Sequence, residues 1–120
     1  MNKFELEEKL TLSLPEFGKH WEKEDIYKEN NAFFNAHGLI RSFLHYFRGN
    51  FKKMSNIEFE KISNIIENGI LVDSVGDDEV SNSICSEFLE LISNEESEKL
   101  NPYLKKTCEE YYKGWLYQNR

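Results

Sequence analysis

Polar and apolar positions along this chain recur at three- and four-residue steps, and the two-residue alternation of a half-buried strand is absent. The clearest case is the stretch 76–92. Val80, Ile84, Phe88 and Leu91/Ile92 share one helical face, with Cys85 and Leu89 beside them. A stripe of that width is what an α-helix turns toward a core. Gly76 ends what precedes it, and Asp77 can cap the free N–H groups. Asp78 and Glu79 fall in the first turn, where the helix dipole favours negative charge. The opposite face carries Ser83, Glu87 and Glu90 and no lysine. This pattern predicts a helix that is both the strongest core element and the most negative one.

The remaining segments follow the same period. Phe4, Leu6, Leu10 and Leu14 give a first helical pattern, which Leu12 interrupts. Ser13-Leu14-Pro15-Glu16 reads as a capping box with proline in the first turn, opening a short helix with Phe17 and Trp21. Residues 19–31 are dominated by charge and read as a long connection. Asn30 or Asn31 then caps a helix whose stripe is Phe33, His37, Ile40, Leu44 and Phe47, widened by Phe43, and Gly49 offers a left-handed stop. Gly38 weakens that helix by ~1 kcal/mol relative to alanine, which a close approach by another backbone would justify. Ser55-Asn56-Ile57-Glu58 is a second capping box, leading through Phe59, Ile62, Ile65 and Ile66 to Gly69. Ile70-Leu71-Val72 has no strand to pair with, so a buried turn or a helical extension is expected there. After the polar run 93–97, Asn101-Pro102 opens a last helix marked by Leu104, Cys108, Tyr111/Tyr112 and Trp115/Leu116. No fixed-period repeat or low-complexity linker interrupts the chain. The expectation is one domain over residues 1–120, all-α, a compact bundle of five to six helices.

With 120 residues, such a domain buries roughly 65–70% of its unfolded surface and needs no disulfide or metal to fold. Cys85 and Cys108 both fall on apolar faces. They read as buried free thiols, or as a disulfide if the two helices pack together. The acidic N-terminal segment is unlike a signal peptide, and no run reaches the ~18 apolar residues of a membrane helix. A cytoplasmic protein is expected.

The net charge of −7, from 15 Lys+Arg against 22 Asp+Glu, argues against nucleic acid or an anionic membrane as partner and favours a cationic protein. Its distribution sharpens this. Nine acids and no Lys or Arg lie in 73–98, whereas 30–57 holds Arg41, Arg48, Lys52 and Lys53 and no acid. Exposed helices ordinarily mix Glu with Lys, so a negative flank that steers a basic partner is one reading. Chance segregation of solvated faces is the other. Tyr103 and Tyr117 fall off the Leu104–Trp115 face and add a hint of a hot spot, tyrosine being enriched at such places.

Catalytic chemistry finds little support. The three histidines, His20, His37 and His45, form no chelating pair. His37 and His45 are two turns apart, about 12 Å, too far to share an ion. His37 reads as a core-edge residue and His45 as a solvated one. Glu87 and Glu90 read as ordinary surface carboxylates. Nucleophile elbows, phosphate loops and dinucleotide fingerprints are absent. No enzyme activity, metal or cofactor is expected.

Three segments nevertheless resemble a family of small bacterial helical proteins known only as a domain of unknown function. They are Leu14-Pro15-Glu16, the run from Gly76 to Glu90, and Leu100-Asn101-Pro102-Tyr103-Leu104. The resemblance implies a cytoplasmic partner protein encoded near secreted or contact-delivered toxins, hence an immunity protein, and it brings no catalytic residues. The expected function is to bind and occlude a cognate toxin with a basic surface, such as a nuclease domain. The contact residues would be Asp77, Asp78, Glu79, Glu87, Glu90, Glu95, Glu96, Tyr103 and Tyr117. The alternative is a helical adaptor or regulatory module with no toxin partner.

Overall fold

The computed structural model describes residues 2–28, 34–70 and 79–103. Among them are six α-helices and no strand: α1 (Lys3–Ser13), α2 (Pro15–Glu22), α3 (Ala36–Asn50), α4 (Asn56–Ile70), α5 (Glu79–Ile84) and α6 (Asn94–Leu100). The all-α bundle expected from periodicity is the fold observed. No helix among the described residues is long and apolar enough to cross a membrane.

Helix α3, more than the 77–92 segment, is the centre of the core. It packs against α1, α2, α5 and the turn that follows α5. Ala36, Leu39, Ile40, Phe43, Leu44, Tyr46 and Phe47 are all buried on it, more than a single stripe. Residues Phe17, Phe43, Phe47, Phe51, Phe59 and Phe88 join around it in a chain of ring contacts with centroids 5.3–6.4 Å apart. Leu6 and Leu10 of α1, Ile62 and Ile66 of α4, and Ile84 and Leu89 complete the same cluster.

Several expected caps move. Ser13 does not cap α2; it is the last residue of α1, and Leu14 alone separates the two helices. Leu14 is 2% exposed, so its burial fixes the corner in place of a side-chain cap. Asn35, not Asn30 or Asn31, caps α3, its Oδ1 accepting from the Gly38 N–H at 2.6 Å. Asn30, Asn31 and Phe33 lie outside the described residues. Gly49 is interior to α3, and the chain continues into a 3₁₀ turn (Phe51–Lys53) because Phe51 is buried against Phe47. The Ser55–Glu58 capping box forms as expected. Helix α4 runs past Gly69 to Ile70. The glycine is needed for closeness: a Cβ there would sit 2.3 Å from the Ile84 Cδ1. Leu71, Val72, Gly76 and Cys108 lie outside the described residues, as do all positions of the expected last helix beyond Tyr103.

The helix expected over 77–92 is correct in type but different in form. Regular α-helix spans Glu79–Ile84, then widens into a π-helical turn, Cys85–Leu89, closed by a Glu90 N–H to Cys85 carbonyl bond of 2.9 Å. Ser83, assigned to the wet face, is fully buried and donates to the Val80 carbonyl. The polar run 93–97 opens α6 through a Ser93–Glu96 capping box, a helix start that the sequence reading did not assign.

Candidate functional site

A cleft of about 650 Å³ opens at the head of α3, lined by Ile26, Tyr27, Phe34, Asn35, His37, Gly38, Arg41 and Glu87. One wall is the strap 24–28, which is tied to α3 at several points. Ser42 on α3 donates to Glu24 Oε1 at 2.5 Å, and the Ile26 N–H donates to Glu24 Oε2 at 3.2 Å. Tyr27 and His45 share a 3.0 Å hydrogen bond. Lys28 places its ammonium 4.9 Å from the centre of the Trp21 ring.

The Tyr27 carbonyl accounts for Gly38. A Cβ on residue 38 would lie 2.6 Å from that oxygen, the backbone approach that a glycine inside a helix implies. Gly38→Ala should therefore destabilise the fold by ~1–2 kcal/mol, even though alanine is the better helix former. Gly49→Ala meets open space and should stabilise by up to ~1 kcal/mol. Urea unfolding of both variants checks the contrast in sign.

Glu24 ties the strap most firmly. Burial alone would raise its pKa, but the Ser42 hydroxyl, the Ile26 and Tyr27 backbone and nearby His20 more than offset this, holding it below the ordinary 4.5. A carboxylate depressed in the folded state stabilises it fully above about pH 4.5, and that contribution fades as the pH falls through the lower folded value. Ser42→Ala removes the largest favourable contact, so acid unfolding followed by circular dichroism should shift to higher pH.

The other wall begins at Phe34, whose ring meets Trp21 and Phe4 edge-on at 5.6 and 5.7 Å. Lys3 holds its backbone through a 2.7 Å bond to the Phe34 carbonyl. On the floor, Glu87 projects from the π-helical turn toward α3. Arg41 reaches Glu87 Oε2 through Nη2 at 2.6 Å and Nε at 2.8 Å, while His37 Nδ1 is 3.5 Å from Oε1.

Of the acids picked out in the sequence, Glu87, Glu95 and Glu96 lie against the chain's own basic residues. Glu79 accepts from the Ala36 N–H at 2.9 Å, closing the start of α3. Glu87 pairs with Arg41. Glu95 pairs with Lys52 at 3.5 Å, both largely exposed. Glu96 is 3% exposed and lies 3.4 Å from Arg48, which also donates to the Leu91 carbonyl. Glu90 is exposed. Tyr103 is half-buried and stacks on Phe59, its carbonyl accepting from Ser63. Asp77, Asp78 and Tyr117 lie outside the described residues. Among the described residues, basic side chains of 41–52 thus meet acidic ones of 87–96, one source of their segregation in the sequence.

Ile26, Tyr27, Phe34, Asn35 and Arg41 were not singled out as site residues. His37 was read as core-edge, and its side chain is 44% exposed in the cleft. The sequence signals for this site were Gly38, without its neighbour, and Glu87, expected as a partner contact and found in the lining. Among the described residues no group of three or more His, Cys, Asp or Glu is placed to hold a metal ion. Cys85 is buried in the core.

A family model described as "Domain of unknown function (DUF7674)" matches residues 7–119. The chain belongs to that family. The match takes in the strap, α3 and the π-helical turn, so the whole cleft lies inside the DUF7674 domain. No curated protein matches this DUF7674 member, and no solved structure does.

Proposed function

We propose that this DUF7674 protein is a binding protein that neutralises a partner by covering its surface, the partner being a bacterial toxin domain with a basic face. The observation that carries the reading is the cleft at the head of α3. It sets exposed apolar wall (Ile26, 75% exposed) beside a fixed ion pair, the mixture of apolar contact and oriented charge on which protein recognition depends. Internal pairing of Glu79, Glu87, Glu95 and Glu96 redistributes the field but leaves the overall charge of −7. Long-range attraction of a basic partner therefore persists, while contact specificity passes from the acidic stretch to the cleft.

The same internal pairing favours a second reading, an adaptor or regulatory module that uses no electrostatic steering. Co-expression with the product of the neighbouring open reading frame separates the two. Rescue from a lethal product, with co-purification, supports neutralisation. A harmless neighbour that co-purifies points to the adaptor, and no association with it counts against the first reading.

A further inference from the structure

Within that reading, we propose that the cleft at the head of α3 receives an arginine side chain of the partner protein, with Glu87 Oε1 as its acceptor. The unfilled hydrogen-bonding capacity of the floor lies on that atom. Arg41 occupies Oε2 with two donors, whereas among the described residues Oε1 faces only His37 at 3.5 Å, beyond a good hydrogen bond. The carboxylate is only 21% exposed, so a bond to it forms in a partly dehydrated setting and gains strength.

The walls suit a guanidinium as well. Tyr27 and Phe34 both line the cleft, and rings of the neighbouring aromatic cluster already carry ammonium groups of the chain itself: Lys3 5.4 Å from the Phe34 centroid and Lys28 4.9 Å from that of Trp21. A planar guanidinium can lie against an aromatic face while donating to a carboxylate, which an ammonium does less well. Arg41 and Glu87 cancel each other among the lining residues, and the chain as a whole, at −7, attracts a cation. An anionic ligand would have to displace Glu87 from Arg41 first.

The probe is N-acetyl-arginine methylamide, titrated into the full chain and followed by two-dimensional NMR at Tyr27, Phe34 and His37. Saturable shifts at those residues are expected in the millimolar range, with the lysine analogue weaker. Glu87→Gln should weaken the arginine probe by roughly tenfold or more, the cost of replacing a charged acceptor. Should Glu87→Gln fail to fold, Phe34→Leu, which keeps apolar bulk and removes the ring, should weaken binding several-fold. Overturning results are no shift at these residues, equal shifts from the N-acetyl-glutamate analogue, or undiminished binding by both variants. If the probe fails while co-expression still neutralises a toxin, the cleft assignment alone is wrong. If the probe binds and no neutralisation is found, the toxin reading is wrong and the arginine seat stands.

Discussion

Phe47→Ala should destabilise the fold by about 3–5 kcal/mol, the usual cost of emptying an aromatic core position. Phe47 is fully buried, with the rings of Phe43, Phe51, Phe59 and Phe88 at 5.3–6.4 Å on several sides. These neighbours come from α3, its 3₁₀ extension, α4 and the π-helical turn, so no single element can move in to fill the void. A domain of this kind holds only ~5–15 kcal/mol in total, and the variant should be near the edge of folding at 37 °C. Phe4→Ala is the control. Its ring is 58% exposed and touches Phe34 edge-on, so a loss of ~1 kcal/mol or less is expected. Denaturant melts of the two proteins measure the difference, and comparable losses would mean that the aromatic chain is not the centre of the core.

Arg48→Met should cost about 2 kcal/mol. Methionine retains the stem but withdraws the charge from Glu96, whose side chain is 4% exposed, and the donor from the Leu91 carbonyl. Breaking a fully buried pair costs ~3–5 kcal/mol, and the half-exposed guanidinium lowers that figure. Glu96 retains the Ser93 N–H at 2.7 Å, which limits the loss further. The double variant Arg48→Met/Glu96→Gln should be less destabilised than the sum of its singles, since no unpaired buried charge remains. By contrast, Lys52→Ala removes the exposed pair with Glu95 and should change stability by ~0.5 kcal/mol or less. Equal losses for Arg48→Met and Lys52→Ala would show that the α3–α6 contact is not held by this charge.

Apolar periodicity carried most of the fold. The stripes through Phe59, Ile62 and Ile66, and through Val80, Ile84 and Phe88, are the faces that turn inward. Local rules failed where tertiary packing competed with them. Ser13 had the spacing of a cap, but burial of Leu14 kept it helical. Asn35 caps α3 because its side chain accepts from the Gly38 N–H, a local bond that the apolar stripe does not encode. The π-helical turn has no spacing signature, so Glu87 could not be aimed at Arg41 from sequence. The cleft was hidden for a related reason: its residues lie on three separate segments, and 19–31 looked merely polar. Charge was read correctly in amount and by segment, but its direction depends on which helices meet.

The ring contacts join residues far apart in the chain, and this governs the order in which the molecule can assemble. Phe17, Phe43 and Phe47 are synthesised early, yet Phe88, which covers two of them, arrives only after nearly as much chain again. Until then the nascent polypeptide carries uncovered aromatic surface, and neither half has a core it can close alone. Folding should therefore be a single concerted event that follows synthesis of α5 and the turn beyond it, with no stable fragment along the way.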